Sequence, residues 1–273
     1  MPELPEVETV KEGLKLKVIG KIIKDVIINY DGIIEYPGVK EFCKNIKGQR
    51  INDINRYGKW LIFVLDKYYL LSHLRMEGKY FINNKDDKVL KHEHVIFRFD
   101  DDSELRYMDV RKFGKMHLIE KNKINDIGPF LEMGLEPWDK NLNVKYLKDK
   151  YCKKKLPMKS VLLDQSIIVG IGNIYADEIL FLCGINPLKR ACDLSDKELF
   201  DIIKNTKYEL EMAIKKGGTT IRSYSSVDGV HGLFQQELSV HTKDKCSKCG
   251  GLITKIRVGG RGTYYCSNCQ REG

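Results

Sequence analysis

Apolar residues recur at Val7, Val10, Leu14 and Val18, spacings of three, four and four that place them on one helix face. Pro5 suits the first turn of that helix, predicted over 5–18. The period then changes. Runs rich in β-branched and aromatic residues follow at 21–30, 60–65, 68–74, 94–99 and 105–108, with turn signals at Asn83-Asn84 and Asp100-Asp101-Asp102. Residues 20–120 are therefore expected to form a largely antiparallel β domain. Gly128-Pro129 and Gly134 to Pro137 mark a connection, and helical periodicity takes over at 144–154, 159–168, 175–183 and 195–216. Ser195 with Glu198 forms a capping box for the last helix, and Gly217-Gly218 ends it. Residues 217–240 are loop-like and rich in Gly, Ser and Thr; a loop of that length is usually functional or disordered. The fold class is α+β.

Composition adds a partner class. With 42% hydrophobic and 31% charged residues, the 273-residue chain can bury a real core. Its net charge of +9 leans to residues 151–273, which favours a polyanion such as nucleic acid over the plainer reading of solvated lysines. The longest apolar region, 161–185, is broken by Asp164, Gln165, Asn173, Asp177 and Glu178, so no membrane span is expected. The acidic start lacks the basic and apolar regions of a secretory signal. The expected compartment is the cytoplasm.

Four of the eight cysteines stand as Cys246-x2-Cys249 and Cys266-x2-Cys269, sixteen residues apart. Two short knuckles separated by a hairpin supply four thiolates to one tetrahedral Zn2+; the competing disulfide reading suits an oxidising compartment. A structural zinc is expected, because four Cys leave no open coordination position. Between the knuckles, 252–258 reads as a strand, Gly259 to Gly262 as a tight turn with Arg261 at its tip, and 263–265 as the return strand. Cys43, Cys152, Cys183 and Cys192 show no pairing pattern.

Candidate chemistry gathers at four places. Once Met1 is removed, Pro2 offers a secondary amine, neutral in part at physiological pH and able to attack a sugar C1′. Glu3 beside it is a candidate acid or base, at a helix start whose positive end disfavours a charged amine. Lys59, in Arg56-Tyr57-Gly58-Lys59-Trp60, is a candidate phosphate contact or proton donor at a turn entering a strand. Gly170-Ile171-Gly172-Asn173 leads into a helix whose N-terminus suits phosphate, with Asn173 as its N-cap. Met76 and Phe113 lie beside Arg75 and Arg111, a composition that suits wedges in a base stack. Alone, each has a bland reading: a frayed terminus, a solvated lysine, a helical corner, a buried Met and Phe.

Together these segments resemble the bacterial formamidopyrimidine-DNA glycosylase family. The matching pieces run in family order: Pro2 to Thr9, Gly58-Lys59, His73-Leu-x-Met-x-Gly78, Lys91-His-x-His94, Asp109-x-Arg-x-Phe-Gly114, Leu163-Asp-Gln165, Gly170 to Glu178, Gly217-Gly-Thr-Thr220 and the four-cysteine ribbon with Arg261. The resemblance implies an N-terminal helix and β-sandwich (1–132), a linker (133–140), a helix–two-turn–helix domain (141–240) with a base-binding loop at 217–240, and a zinc finger (241–273), with DNA between the two domains. It also implies a monomer that excises 8-oxoguanine and formamidopyrimidines from duplex DNA and then cuts the abasic strand.

Roles carry over on matching positions. Pro2 would be the nucleophile and Schiff-base residue, Glu3 the acid/base that helps open the sugar ring, and Lys59 the proton donor for β-elimination. Arg261 would serve δ-elimination; an Arg is a poor acid at neutral pH, so it also reads as a phosphate clamp. Met76, Arg111 and Phe113 would fill the space of the flipped nucleotide. His92, Lys155, Lys159 and Asn173 would contact DNA, and Glu77 and Tyr224 would line the base pocket. Tyr57, Val110 and Lys112 depart from the family pattern without removing a catalytic role. The alternatives are an oxidised-pyrimidine glycosylase of the endonuclease VIII type, a non-catalytic zinc-ribbon binder of damaged DNA, and a zinc-ribbon transcription factor. The last two have no use for Pro2, Glu3 and Lys59.

Overall fold

The computed structural model describes residues 1–219 and 232–271. They fall into two compact units, residues 1–132 with Thr219, and residues 133–218 with those from Leu233 onward.

The first unit opens with α1 (Leu4–Val18), whose Val7, Val10, Leu14 and Val18 are all buried. The strands and second helix follow as β1 (Ile23–Ile28), β2 (Ile34–Tyr36), α2 (Val39–Ile46), β3 (Asp53–Tyr57), β4 (Trp60–Val64), β5 (Tyr68–His73), β6 (Lys79–Asn84), β7 (Glu93–Phe99), β8 (Ser103–Met108) and β9 (Lys115–Glu120). They form two sheets, ordered β1-β7-β8-β6 and β2-β9-β5-β4-β3. All pairings are antiparallel except β2 with β9. One core joins both sheets and both helices: Val10 and Leu14 from α1, Phe42 from α2, Phe97 and Phe99 from β7, Phe63 from β4, Leu70 from β5 and Leu118 from β9. This is the expected sandwich.

Several elements escaped the sequence pattern. β3, β6, β9 and α2 carry too few apolar residues in a row to stand out. The Asn83-Asn84 turn signal belongs to the end of β6, and the turn comes after it, where the Asn84 N–H donates to Asp87 Oδ2 at 2.7 Å.

The second unit holds α3 (Val144–Tyr151), α4 (Met158–Leu162), α5 (Asn173–Cys183), α6 (Asp196–Lys215) and the hairpin β10 (Thr254–Val258) and β11 (Arg261–Tyr265). Ser195 and Glu198 form the expected capping box on α6. The helix predicted over 159–168 stops at Leu162. Asp164 Oδ1 there accepts from the Ser166 N–H and hydroxyl, an alternative to continuing the helix. Gln165 wires the resulting double turn, donating to the carbonyls of Leu163 and Ile171 and accepting from the Gly170 N–H. Residues 133–140, expected as a linker, belong to this unit; the Gly134 N–H donates to the Gln165 carbonyl at 2.8 Å. No helix among the described residues is long and apolar enough to cross a membrane.

Candidate active site and nucleic-acid interface

In the first unit, Pro2 and Glu3 are buried rather than frayed. Glu3 is the N-cap of α1, and a reciprocal capping box ties it to Glu6. Glu6 Oε2 accepts the Glu3 N–H at 2.8 Å, while Oε1 accepts the N–H and hydroxyl of Thr219 at 2.8 and 3.0 Å. One buried carboxylate thus anchors the start of α1 and the residue that precedes 220–231.

Lys59 reaches the same place from a different element. Tyr57 pairs with Trp60, so Gly58-Lys59 is a two-residue hairpin turn, and Gly58 takes φ +56° as such a turn requires. Arg56 pins the turn to α1: Nε donates to Glu8 Oε2 at 2.8 Å and a terminal N–H donates to the Gly58 carbonyl at 3.1 Å. Burial works against charge on Glu8, but Lys11 and Arg56 hold its carboxyl below the usual range. Lys59 is only 5% exposed.

These groups share one environment. Burial pulls the amine of Met1, the residue ahead of Pro2, below its ordinary value; the charges of Glu3, Glu6 and Glu77 oppose the shift and that of Lys59 supports it. His73 stands beside them. Burial, with Arg75 and Lys59 adding, pushes its imidazole down to about 3, so the ring is neutral at pH 7. Its Nδ1 accepts the Arg75 N–H at 2.9 Å, which leaves the proton on Nε2. The ring meets Trp60 edge-on at 4.9 Å, and Trp60 also contacts His117 and Phe130. The motif containing His73 is visible in the sequence; its neutrality comes from burial.

The segment expected to act as a wedge is built around Asp109, which is fully buried. Its carboxylate accepts the N–H groups of Arg111, Phe113 and Gly114 at 3.0, 2.9 and 2.8 Å. The loop holds Phe113 outward at 49% exposure, with the Arg111 guanidinium 4.8 Å from its ring centroid. A buried Phe is thereby excluded. Met76 and Glu77 are partly buried on the β5–β6 connection. His92, at φ +75°, accepts the Asp109 N–H through its carbonyl, so its position is tied to the wedge loop.

In the second unit Lys155 is exposed, but Lys159 is not. Lys159 is fully buried, and its ammonium donates to the Asn173 carbonyl at 2.7 Å and to Asp177 Oδ1 at 2.6 Å. The expectation of a DNA contact at Lys159 is therefore corrected: an ammonium held inside the unit is not presented to a phosphate. Asn173 is likewise not the N-cap of α5, a place taken by Gly172. Its side-chain amide donates to the Gly262 carbonyl at 2.9 Å, which joins α5 to the hairpin. Arg261 is exposed and pairs with Val258, so it opens the return strand and the turn itself is Gly259-Gly260. Tyr224 lies outside the described residues.

The four knuckle sulfurs lie within 4.8 Å of one another. Cys246 and Cys269 Sγ are 3.8 Å apart, and Cys249 and Cys266 Sγ 3.5 Å. Thiolates about 2.3 Å from a tetrahedral Zn2+ stand about 3.8 Å apart, so the set fits one structural zinc. The Cys266 N–H donates to Gln270 Oε1 at 2.9 Å, and Gln270 Nε2 donates to the Ile185 carbonyl at 2.9 Å, docking the knuckle just beyond the end of α5.

Comparison with known proteins agrees along the whole chain. The family models described as the formamidopyrimidine-DNA glycosylase N-terminal domain, the formamidopyrimidine-DNA glycosylase H2TH domain, and the zinc finger found in FPG and IleRS match residues 1–116, 133–225 and 243–271. The formamidopyrimidine-DNA glycosylase of Oceanobacillus iheyensis is 48% identical, over 99% of this chain and 98% of its own length. A Lactococcus lactis FPG variant, solved in complex with Fapy-dG-containing DNA, superposes with a TM-score of 0.92 at 39% identity, over 99% of this chain and 100% of that one. The Lactococcus lactis protein bound to abasic-site DNA gives 0.91 at 38%, with the same coverage. The chain belongs to the formamidopyrimidine-DNA glycosylase family.

Proposed function

We propose that this protein is a base-excision-repair DNA glycosylase with abasic-site lyase activity, acting on oxidised purines in duplex DNA. The observation that carries the reading is that Pro2 and Glu3 are buried at the start of α1 with Lys59, 5% exposed, and Glu77 close enough to act on the amine of the adjoining Met1. A neutral amine is the form that attacks carbon, and burial favours it.

In the proposed reaction, removal of Met1 gives the Pro2 nitrogen a lone pair. That nitrogen attacks C1′ of the damaged nucleotide, and the C1′–base bond breaks. Glu3 assists opening of the sugar ring, and the ring-opened sugar forms an iminium with Pro2. The iminium acidifies the C2′ proton. Water takes that proton, the C3′–O bond breaks and the 3′ phosphate leaves with a proton from Lys59 (β-elimination); loss of the C4′ proton to water then breaks the C5′–O bond and releases the 5′ phosphate. Hydrolysis of the remaining iminium frees Pro2.

Phe113, Met76 and Arg111 fill the space that the extruded nucleotide vacates. An exposed Phe on a braced loop supports that role. Lys155, His92 and Arg261 bind the DNA backbone, and Glu77 and Tyr224 line the base pocket. Zn2+ on Cys246, Cys249, Cys266 and Cys269 holds the ribbon together.

The test is borohydride trapping on a duplex with one 8-oxoguanine opposite cytosine, followed by mass mapping. An adduct on the Pro2 nitrogen is expected. Tight binding without an adduct would overturn the oxidised-purine reading, and an oxidised-pyrimidine duplex would then separate the endonuclease VIII type from a non-catalytic binder.

A further inference from the structure

Lys159, Asp177 and His241 form a buried chain that the proposed mechanism does not use. Lys159 and Asp177 have side chains with 0% exposure, and His241 has 8%. The three come from α4, α5 and the segment that leads into the zinc ribbon. Lys159 Nζ bonds Asp177 Oδ1 at 2.6 Å, and Asp177 Oδ2 meets His241 Nδ1 at 2.7 Å. The His241 ring then contacts Tyr264 of β11 at 4.9 Å between centroids.

Other contacts complete the arrangement. Glu178, next to Asp177, accepts the N–H groups of Ser239, Val240 and His241 at 2.7, 3.0 and 2.8 Å. Asn173, whose carbonyl Lys159 holds, donates from its side chain to the Gly262 carbonyl. At the hairpin turn, a Cβ on Gly259 would stand 2.6 Å from Ser160 Oγ, so the turn lies directly against α4. The zinc knuckle by itself fixes only the root of the hairpin. The far end, where Arg261 sits, is held by this second set of contacts.

We infer that the Lys159–Asp177–His241 chain is the mount that keeps the zinc hairpin in register on α5 and sets Arg261 beside the first turn of that helix. The three are positioning residues, and no substrate atom touches them. Breaking a buried charged network leaves an uncompensated group and loosens whatever it braced. The functional half of the inference rests on the reading of Arg261 as a DNA contact.

The experiment uses the zinc-loaded full chain as wild type, His241→Ala, His241→Asn, Arg261→Ala and the His241→Ala/Arg261→Ala double variant. Amide hydrogen exchange across 255–264 is read without DNA, and affinity is read on a duplex carrying a tetrahydrofuran abasic analogue. In His241→Ala, hairpin exchange is expected to quicken about tenfold and affinity to fall about tenfold with zinc retained. His241→Asn, which can still donate to Asp177 but lacks the ring that contacts Tyr264, should fall between His241→Ala and wild type in both. The double variant should bind no more than about twofold worse than Arg261→Ala, because both changes remove one contact.

Unchanged hairpin exchange in His241→Ala would overturn the mount. A double variant that loses the product of the two single losses would overturn the positioning of Arg261. Full affinity in Arg261→Ala would overturn the DNA-contact reading instead, and the exchange data would still decide the mount. If His241→Ala does not fold, His241→Asn carries the same comparison, with intermediate exchange expected and wild-type exchange overturning the idea.

Discussion

Glu6 Oε1 lies 2.8 Å from the backbone nitrogen of Thr219, a residue 213 positions away in the chain. The other oxygen of that carboxylate holds the Glu3 N–H at 2.8 Å. One side chain therefore ties the start of α1, where the proposed nucleophile lies, to Thr219, which precedes residues expected to close over the base. Glu6→Gln replaces one acceptor with an NH2 group, which then faces a donor. The expected result is a loss of about 1–2 kcal/mol of stability and a fall of about tenfold in the trapping rate. Thermal unfolding and single-turnover trapping check it; wild-type values in both would remove Glu6 from the arrangement.

Glu3 is 2% exposed and caps α1. Glu3→Gln retains the shape and loses the titratable proton, so base excision should be abolished while duplex binding survives. Pro2→Gly, which keeps a terminal amine but not the ring, should excise more slowly. Gel-shift affinity beside single-turnover excision of 8-oxoguanine reads both effects. Unimpaired excision by Glu3→Gln would sink the acid/base assignment.

Phe113 separates packing from function. At 49% exposure it contributes little to the core, so Phe113→Ala should shift stability by no more than about 0.5 kcal/mol. Excision from duplex DNA should nevertheless slow by tenfold or more, because the wedge is gone, while a pre-formed abasic site should be cut at a less affected rate. Comparable rates of excision by Phe113→Ala and wild type would return Phe113 to the ordinary surface.

The pH dependence of stability has a marked source in α6. Burial, with the Glu178 charge adding, pushes Glu209 up to about 8 from 4.5. The folded state then holds a proton that the unfolded chain releases between those values. Stability from this group is therefore undiminished below about pH 4.5, falls as pH rises towards about 8, and is level above it. The loss amounts to about 3–5 kcal/mol. Glu209→Gln should remove that slope, and thermal melts at pH 5, 7 and 9 would show it. A variant whose melting temperature tracks wild type at all three values would rule Glu209 out.

Much of the first unit was legible along the chain. The 3-4-4 spacing of α1 became its buried face; four of the five apolar runs became the central strands β4, β5, β7 and β8, and the run at 21–30 became the edge strand β1. Two local features differ from the sequence pattern because side-chain bonds and strand register are not carried by periodicity. The 159–168 segment has helical periodicity, yet Asp164 and Gln165 end the helix by bonding the backbone that would continue it. Arg261 reads as the tip of its turn, yet the register Val258–Arg261 places it on the strand, because Gly259-Gly260 suffices for the turn. Arg56, Asp109 and Asp177 lie inside the motif segments without a role legible there: Arg56 and Asp177 act on the remote Glu8 and Lys159, and Asp109 acts by folding its own loop once buried.

The sequence by itself determined the succession of helix, β domain, helical domain and zinc hairpin, the zinc ligands and the family, because periodicity, knuckle spacing and short motifs are properties of neighbouring residues. Tertiary structure decided which charged groups face solvent and which meet one another. Arg111 and Lys159 both sit in basic, motif-bearing segments; one is exposed on a braced loop and the other is sealed against Asp177. Burial depends on what remote segments cover, and a charged group taken from water must find a partner there. That requirement sealed Lys159, an expected DNA contact, against Asp177 inside its unit.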